Sequence, residues 1–74
     1  MDINKKVLLL AIAKKQPDES LEEVLAMLEN AHVFRREEGK RLLRELKSEA
    51  LVDESGLTPK GALVAKEVEE EFRL

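Results

Sequence analysis

Residues Val33 to Gly61 read V-F-R-R-E-E-G-K-R-L-L-R-E-L-K-S-E-A-L-V-D-E-S-G-L-T-P-K-G and carry three local signals in direct succession. A helical pattern over Arg35–Ala50 gives way to a hairpin signal at Leu51–Thr58, and then to a capped helix start at Thr58-Pro59. On a helix turning about 100° per residue, Leu42, Gly39, Leu46, Ala50 and Leu43 share an arc of roughly 100°, the width of a core-facing stripe. Beside them lie Arg36, Lys47, Lys40 and Arg44 over roughly another 80°, with Arg41 further round. Glu45, Glu38 and Glu49 occupy the opposite flank. The helix therefore has an apolar face, a basic face and an acidic edge.

Charge sets this helix apart from the rest of the chain. Between positions 35 and 47 stand six basic residues (Arg35, Arg36, Lys40, Arg41, Arg44, Lys47) and three acidic ones (Glu37, Glu38, Glu45), in a chain whose formal net charge is −3. A basic stripe on an otherwise acidic protein is the electrostatic footprint of a nucleic-acid surface. A solvated helix face gives the same pattern, with Glu38–Arg41 and Arg41–Glu45 as ordinary pairs one turn apart.

The 74 residues make one domain, 1–74, close to the lower limit for a core without staples. The chain has no Cys, which excludes disulfides and thiolate metal sites, and only two aromatic residues, Phe34 and Phe72. The core must come from Leu, Val, Ile and Ala. No run approaches the roughly 20 apolar residues of a membrane span. Lys5-Lys6 followed by Val7–Ala13 has a faint signal-peptide look, but cleavage there would leave too little chain for a core. The expected compartment is cytoplasmic.

The first helical segment, Ile3–Lys15, has Asp2 or Asn4 as N-cap and Pro17 as its stop. Its apolar residues, Val7 to Ala13, cover the whole circumference, so more than one side must be buried. One side faces the core; the other calls for the last helix or a partner. A homodimer through Leu8, Leu9 or Ile12, with Leu63 or Leu74, is the expectation. Ser20-Leu21-Glu22-Glu23 forms a capping box opening a second helix with the stripe Leu21, Val24, Leu25, Leu28. Ala31-His32-Val33 is a short joint, with Val33 and Phe34 plugging the core beneath it. His32 has neither Cys nor a second His with which to hold a metal. Gly39, on the apolar face, predicts close approach by another helix. The final helix should bury Gly61, Val64, Ala65, Val68 and Phe72.

The order helix, helix, joint, helix, hairpin, helix resembles a winged helix-turn-helix domain: mainly α with a small β-hairpin. The resemblance covers about residues 3 to 72. It rests on Ser20–Glu23 opening a helix before a tight joint, on Leu42-Leu43-x-x-Leu46-Lys47-x-x-x-Leu51-Val52, and on Gly56-Leu57-Thr58-Pro59-Lys60-Gly61, which is similar to the family's step from the second wing strand into the last helix. It implies a third helix in the DNA major groove and a wing near the backbone. By position, Arg35, Arg36, Glu37, Lys40, Arg41 and Arg44 would face DNA, with Lys47 and Lys60 completing the basic set. In this chain Asp53 and Glu54 stand at the wing tip, Ala50 stands where the family often has Gly, and no Ser or Thr caps the third helix. The expected function is a DNA-binding transcriptional regulator acting on double-stranded DNA. The alternative is a winged helix that binds protein and not DNA. No nucleophile–base constellation is visible, so no enzyme and no cofactor is expected.

Overall fold

The computed structural model describes residues 1–73. Four helices, α1 (Ile3–Lys14), α2 (Leu21–Asn30), α3 (Arg36–Ser48) and α4 (Pro59–Glu71), are joined by short connections. Between α3 and α4 lies an antiparallel hairpin of two-residue strands, β1 (Val52–Asp53) and β2 (Gly56–Leu57), in the register Val52↔Leu57 and Asp53↔Gly56. No helix among the described residues is long and apolar enough to cross a membrane.

α1 is the centre of the packing. It touches α2, α3, α4 and β2. Leu8 and Leu9 are fully buried, and Ile12 nearly so, in one cluster with Val24, Leu25, Leu42, Leu46 and Val68. Leu8, Leu9 and Ile12, expected from sequence at a dimer surface, are thus inside the chain. A helix apolar all round needs cover on several sides, and here three helices and the hairpin of the same chain supply it. Leu74, the other candidate, lies outside the described residues.

Local signals set the helix ends. Ser20 Oγ accepts a hydrogen bond from Glu23 N–H while the Glu23 carboxylate accepts from Ser20 N–H, closing the capping box of α2. Thr58 caps α4 by accepting from Gly61 N–H, with Pro59 in the first turn. Its hydroxyl also donates to Ala50 O at 2.6 Å, tying the start of α4 to the chain leaving α3.

The two turns that bracket α3 share one construction. After α2, His32 N–H donates to Glu29 O and Val33 N–H to Leu28 O, with His32 at φ 63°. After α3, Ala50 N–H donates to Lys47 O and Leu51 N–H to Leu46 O, with Ala50 at φ 62°. Both are Schellman turns, with a left-handed residue where glycine is usual. This is why Ala50 is not on the core stripe of α3. It has left the helix and is exposed, and Leu51 enters the core in its place. His32 likewise is exposed.

Ala50→Gly is expected to stabilise the protein by about 0.5–1 kcal/mol. The left-handed conformation costs an L-residue about 1–2 kcal/mol, and the extra freedom of an unfolded glycine returns about 0.4–1. Thermal unfolding followed by circular dichroism should show a midpoint a few degrees higher. An unchanged or lower midpoint would mean that the turn is not held left-handed.

In α4, Gly61, Ala65 and Val68 are buried as expected and Val64 partly so. Phe72, expected among the buried residues, is instead 43 % exposed; it is the C-cap, one residue past the end of α4.

Candidate nucleic-acid interface

The outer face of α3 is presented by the joint before it. Val33 is half-buried and Phe34 buried, so the chain dips into the core and returns at Arg35, the extended N-cap residue. The Phe34 ring lies against Gly39: a Cβ there would come within 2.6 Å of the ring and 3.1 Å of Leu25 Cδ2. What approaches Gly39 is therefore first the joint's own aromatic plug, and then α2. Any larger residue would force either the Phe34 ring or the start of α3 to shift. Arg35 makes no side-chain cap, and Glu37 and Glu38 in the first turn complement the positive end of the helix instead.

The expected basic residues divide into two groups. Arg36 Nε donates to Glu29 Oε1 at 3.0 Å, linking the start of α3 to the last turn of α2. Arg41 lies between Glu38, at 3.3 Å, and Glu45. These two guanidiniums hold the structure around them. Arg35, Lys40, Arg44 and Lys47 are exposed and have no carboxylate within ion-pair distance among the described residues. Lys40, Arg44 and Lys47, spaced by four and three, stack along one side of the helix. Lys60 is displaced from this stripe. Its Nζ donates to Glu49 O at 3.3 Å and satisfies a carbonyl at the far end of α3.

The acidic edge of α3 is anchored from α1. Lys5 is only 7 % exposed, and its Nζ lies 2.6 Å from Glu49 and 3.3 Å from Glu45. Burial alone would lower its pKa. The hydrogen bonds and charges of Glu49 and Glu45 outweigh that and hold the ammonium above the usual lysine value. Lys5 did not stand out in the sequence, although its spacing from Leu8, Leu9 and Ile12 places it on the same helical stripe. The clamp ties Glu45 and Glu49, both still partly exposed, to α1 on the side of α3 opposite Lys40 and Lys47.

The hairpin is acidic. Asp53 Oδ1 accepts from Ser55 Oγ at 2.8 Å, Ser55 N–H at 2.9 Å and Gly56 N–H at 3.1 Å. These bonds, led by the Ser55 hydroxyl, hold its carboxyl below the ordinary aspartate value. The residues from Val52 to Leu57 include Asp53 and Glu54 but no Lys or Arg. The hairpin therefore offers no cation of its own. Among the described residues no group of three or more His, Asp or Glu converges as a metal site.

No protein-family model, curated protein or solved structure matches this chain. The helical fold with a small hairpin and the exposed basic stripe stand on the geometry alone.

Proposed function

We propose that the domain is a winged helix-turn-helix that binds double-stranded DNA, as the DNA-binding part of a transcriptional regulator, with α3 lying in the major groove. The observation that carries this reading is the unpaired stripe of Lys40, Arg44 and Lys47 on the solvent face of α3. A tight joint and a buried lysine clamp hold that helix outward. Cations already matched by carboxylates gain little from phosphate; unmatched ones release the counterions condensed on DNA. An arginine on the same face also has the donor fork that reads guanine.

A second reading, a domain of the same shape that docks on protein, is favoured by Asp53 and Glu54 at the hairpin tip. A DNA-contacting wing would carry cations there.

Anisotropy of a labelled duplex, titrated with protein across a range of salt, separates the two. Replacing Lys40, Arg44 and Lys47 together with Ala should flatten the slope of log K against log salt by about 0.9 for each phosphate the variant no longer neutralises. The helical circular dichroism should stay unchanged, since all three side chains are exposed. Equal binding of wild type and the triple variant at low salt would remove the DNA reading and leave the protein-docking one.

A further inference from the structure

The hairpin has no lysine or arginine in its own sequence, yet the chain leaving α1 lays a lysine across it. Lys15, the C-cap residue of α1, packs against Gly56. A Cβ on Gly56 would come within 3.3 Å of Lys15 Cε and 3.8 Å of its Nζ. Gly56 has φ 136°, a conformation that favours glycine. Its missing side chain lets the hairpin turn and also leaves the notch that the Lys15 stem fills.

Register tells which face of the hairpin this is. Residues directly opposed in an antiparallel pair share a face, and successive residues alternate. Val52 opposes Leu57, and Asp53 opposes Gly56. Val52 is buried and Leu57 partly so, which makes theirs the inward face. Asp53 and Gly56 belong to the outward face, and Lys15 lies on it.

The ammonium is left without an acid. No carboxylate stands within ion-pair distance of Lys15 among the described residues. Asp53 Oδ1, on the same face, accepts three hydrogen bonds from Ser55 and Gly56 and so closes its own turn. Glu19 Oε1 accepts from Gln16 N–H at 2.6 Å. Lys15 Nζ itself makes only a long contact, 3.5 Å to Gln16 O. A stem laid on protein with its charged head left to solvent is the usual posture of a lysine that covers a surface.

We propose that Lys15 is the phosphate contact of the hairpin, an ammonium brought by the end of α1 and seated by Gly56 to meet the DNA backbone beside the groove that α3 enters. This rests on the DNA reading of α3. The acceptor is phosphate and not a base edge, because an ammonium on a flexible stem is a point charge without the fork that reads guanine. Contacts of this kind fix the orientation of a protein on the duplex. The acidic hairpin then approaches the backbone by its lysine-covered face.

Lys15→Met removes the ammonium and keeps an unbranched stem over Gly56. Anisotropy of a labelled duplex, titrated over an about fourfold range of salt, should give K15M a slope of log K against log salt flatter by about 0.9, the value of one phosphate contact. Wild type should then lose roughly three times more affinity than K15M across that range. K15R, which keeps the charge, should hold the wild-type slope, and both variants should melt like wild type. R73M removes the same charge at the far end of α4 from the hairpin and should also hold that slope. A K15M slope equal to wild type, with the Lys40, Arg44 and Lys47 triple variant still flattened, would overturn the proposal and leave the DNA reading standing. So would a K15R slope as flat as that of K15M, or equal flattening by R73M. A wild type that binds no duplex at low salt would remove both.

Discussion

Gly61→Ala is expected to leave the chain largely unfolded at room temperature. An added Cβ would sit 1.8 Å from Leu51 O, 2.8 Å from Leu51 C and 3.2 Å from Leu51 Cα. All three are backbone atoms, so no side chain can rotate away. The carbonyl it strikes is held in place by Thr58 N–H at 3.1 Å, and Thr58 is itself bonded to Ala50 O and Gly61 N–H. Relief requires α4 to slide off the end of α3, breaking that set of bonds and uncovering Ala65 and Val68. A loss above about 4 kcal/mol is expected, in the range reserved for a few severe mechanisms and comparable with the whole stability of a small domain. On helix propensity alone the change would be favourable by about 1 kcal/mol, so even the sign of the effect tests the packing. Urea unfolding monitored by circular dichroism gives the answer. A variant as stable as wild type would show that α4 does not dock on Leu51.

Leu46→Ala should be nearly as damaging, at about 2–5 kcal/mol. Leu46 is fully buried in the cluster that joins α1, α2, α3 and α4. Its carbonyl also accepts from Leu51 N–H in the turn after α3, so a cavity at this point lies under both the helix and its cap. With two phenylalanines as the only aromatics, the core has few large neighbours that could swing in to fill the space. Leu63→Ala in a dilute sample is the contrast, within about 0.5 kcal/mol of wild type because that side chain faces solvent. A loss below about 1 kcal/mol at Leu46 would take it out of the core.

Most of the architecture could be read from local chemistry. Ser20–Glu23 and Thr58-Pro59 state where α2 and α4 begin in terms of hydrogen bonds that residues three apart can make. Leu42, Leu43 and Leu46 state which side of α3 is inward. The difficulties arose where distant parts of the chain decide. The all-round apolar character of α1 says that several surfaces cover it, but not whose they are. Leu8, Leu9 and Ile12 therefore suggested a partner when α2, α3 and α4 do the covering. Ala50 continues the 3.6-residue period and gives no sign, as glycine would have, that the helix has already ended. Gly39 announced a close approach, but only the folded joint identifies the Phe34 ring as what approaches.

The basic stripe was legible as composition and only partly as geometry. All seven cations named from sequence are on or beside α3. Sequence spacing predicted the Arg41 pairs with Glu38 and Glu45, but gave no hint that Glu29 of another helix reaches Arg36. Lys5 was invisible for a related reason. A lysine on an apolar stripe is ordinary unless the carboxylates waiting for it, 40 and more positions away, are known.

The central place of α1 bears on how the chain acquires its structure. Of the four described helices, the earliest in chain order is the one whose surfaces need all the others. When α2 and α3 have emerged, the side of α1 that will meet α4 is still bare, and Lys5 has gained Glu45 and Glu49 only once α3 is complete. Contacts between α1 and α4 close a loop spanning most of the domain, so little native stability accrues until α4 is present. A nascent chain stopped before Thr58 would thus expose a leucine-rich helix to whatever apolar surface is nearby. Once α4 is present it covers the side of α1 that is otherwise bare.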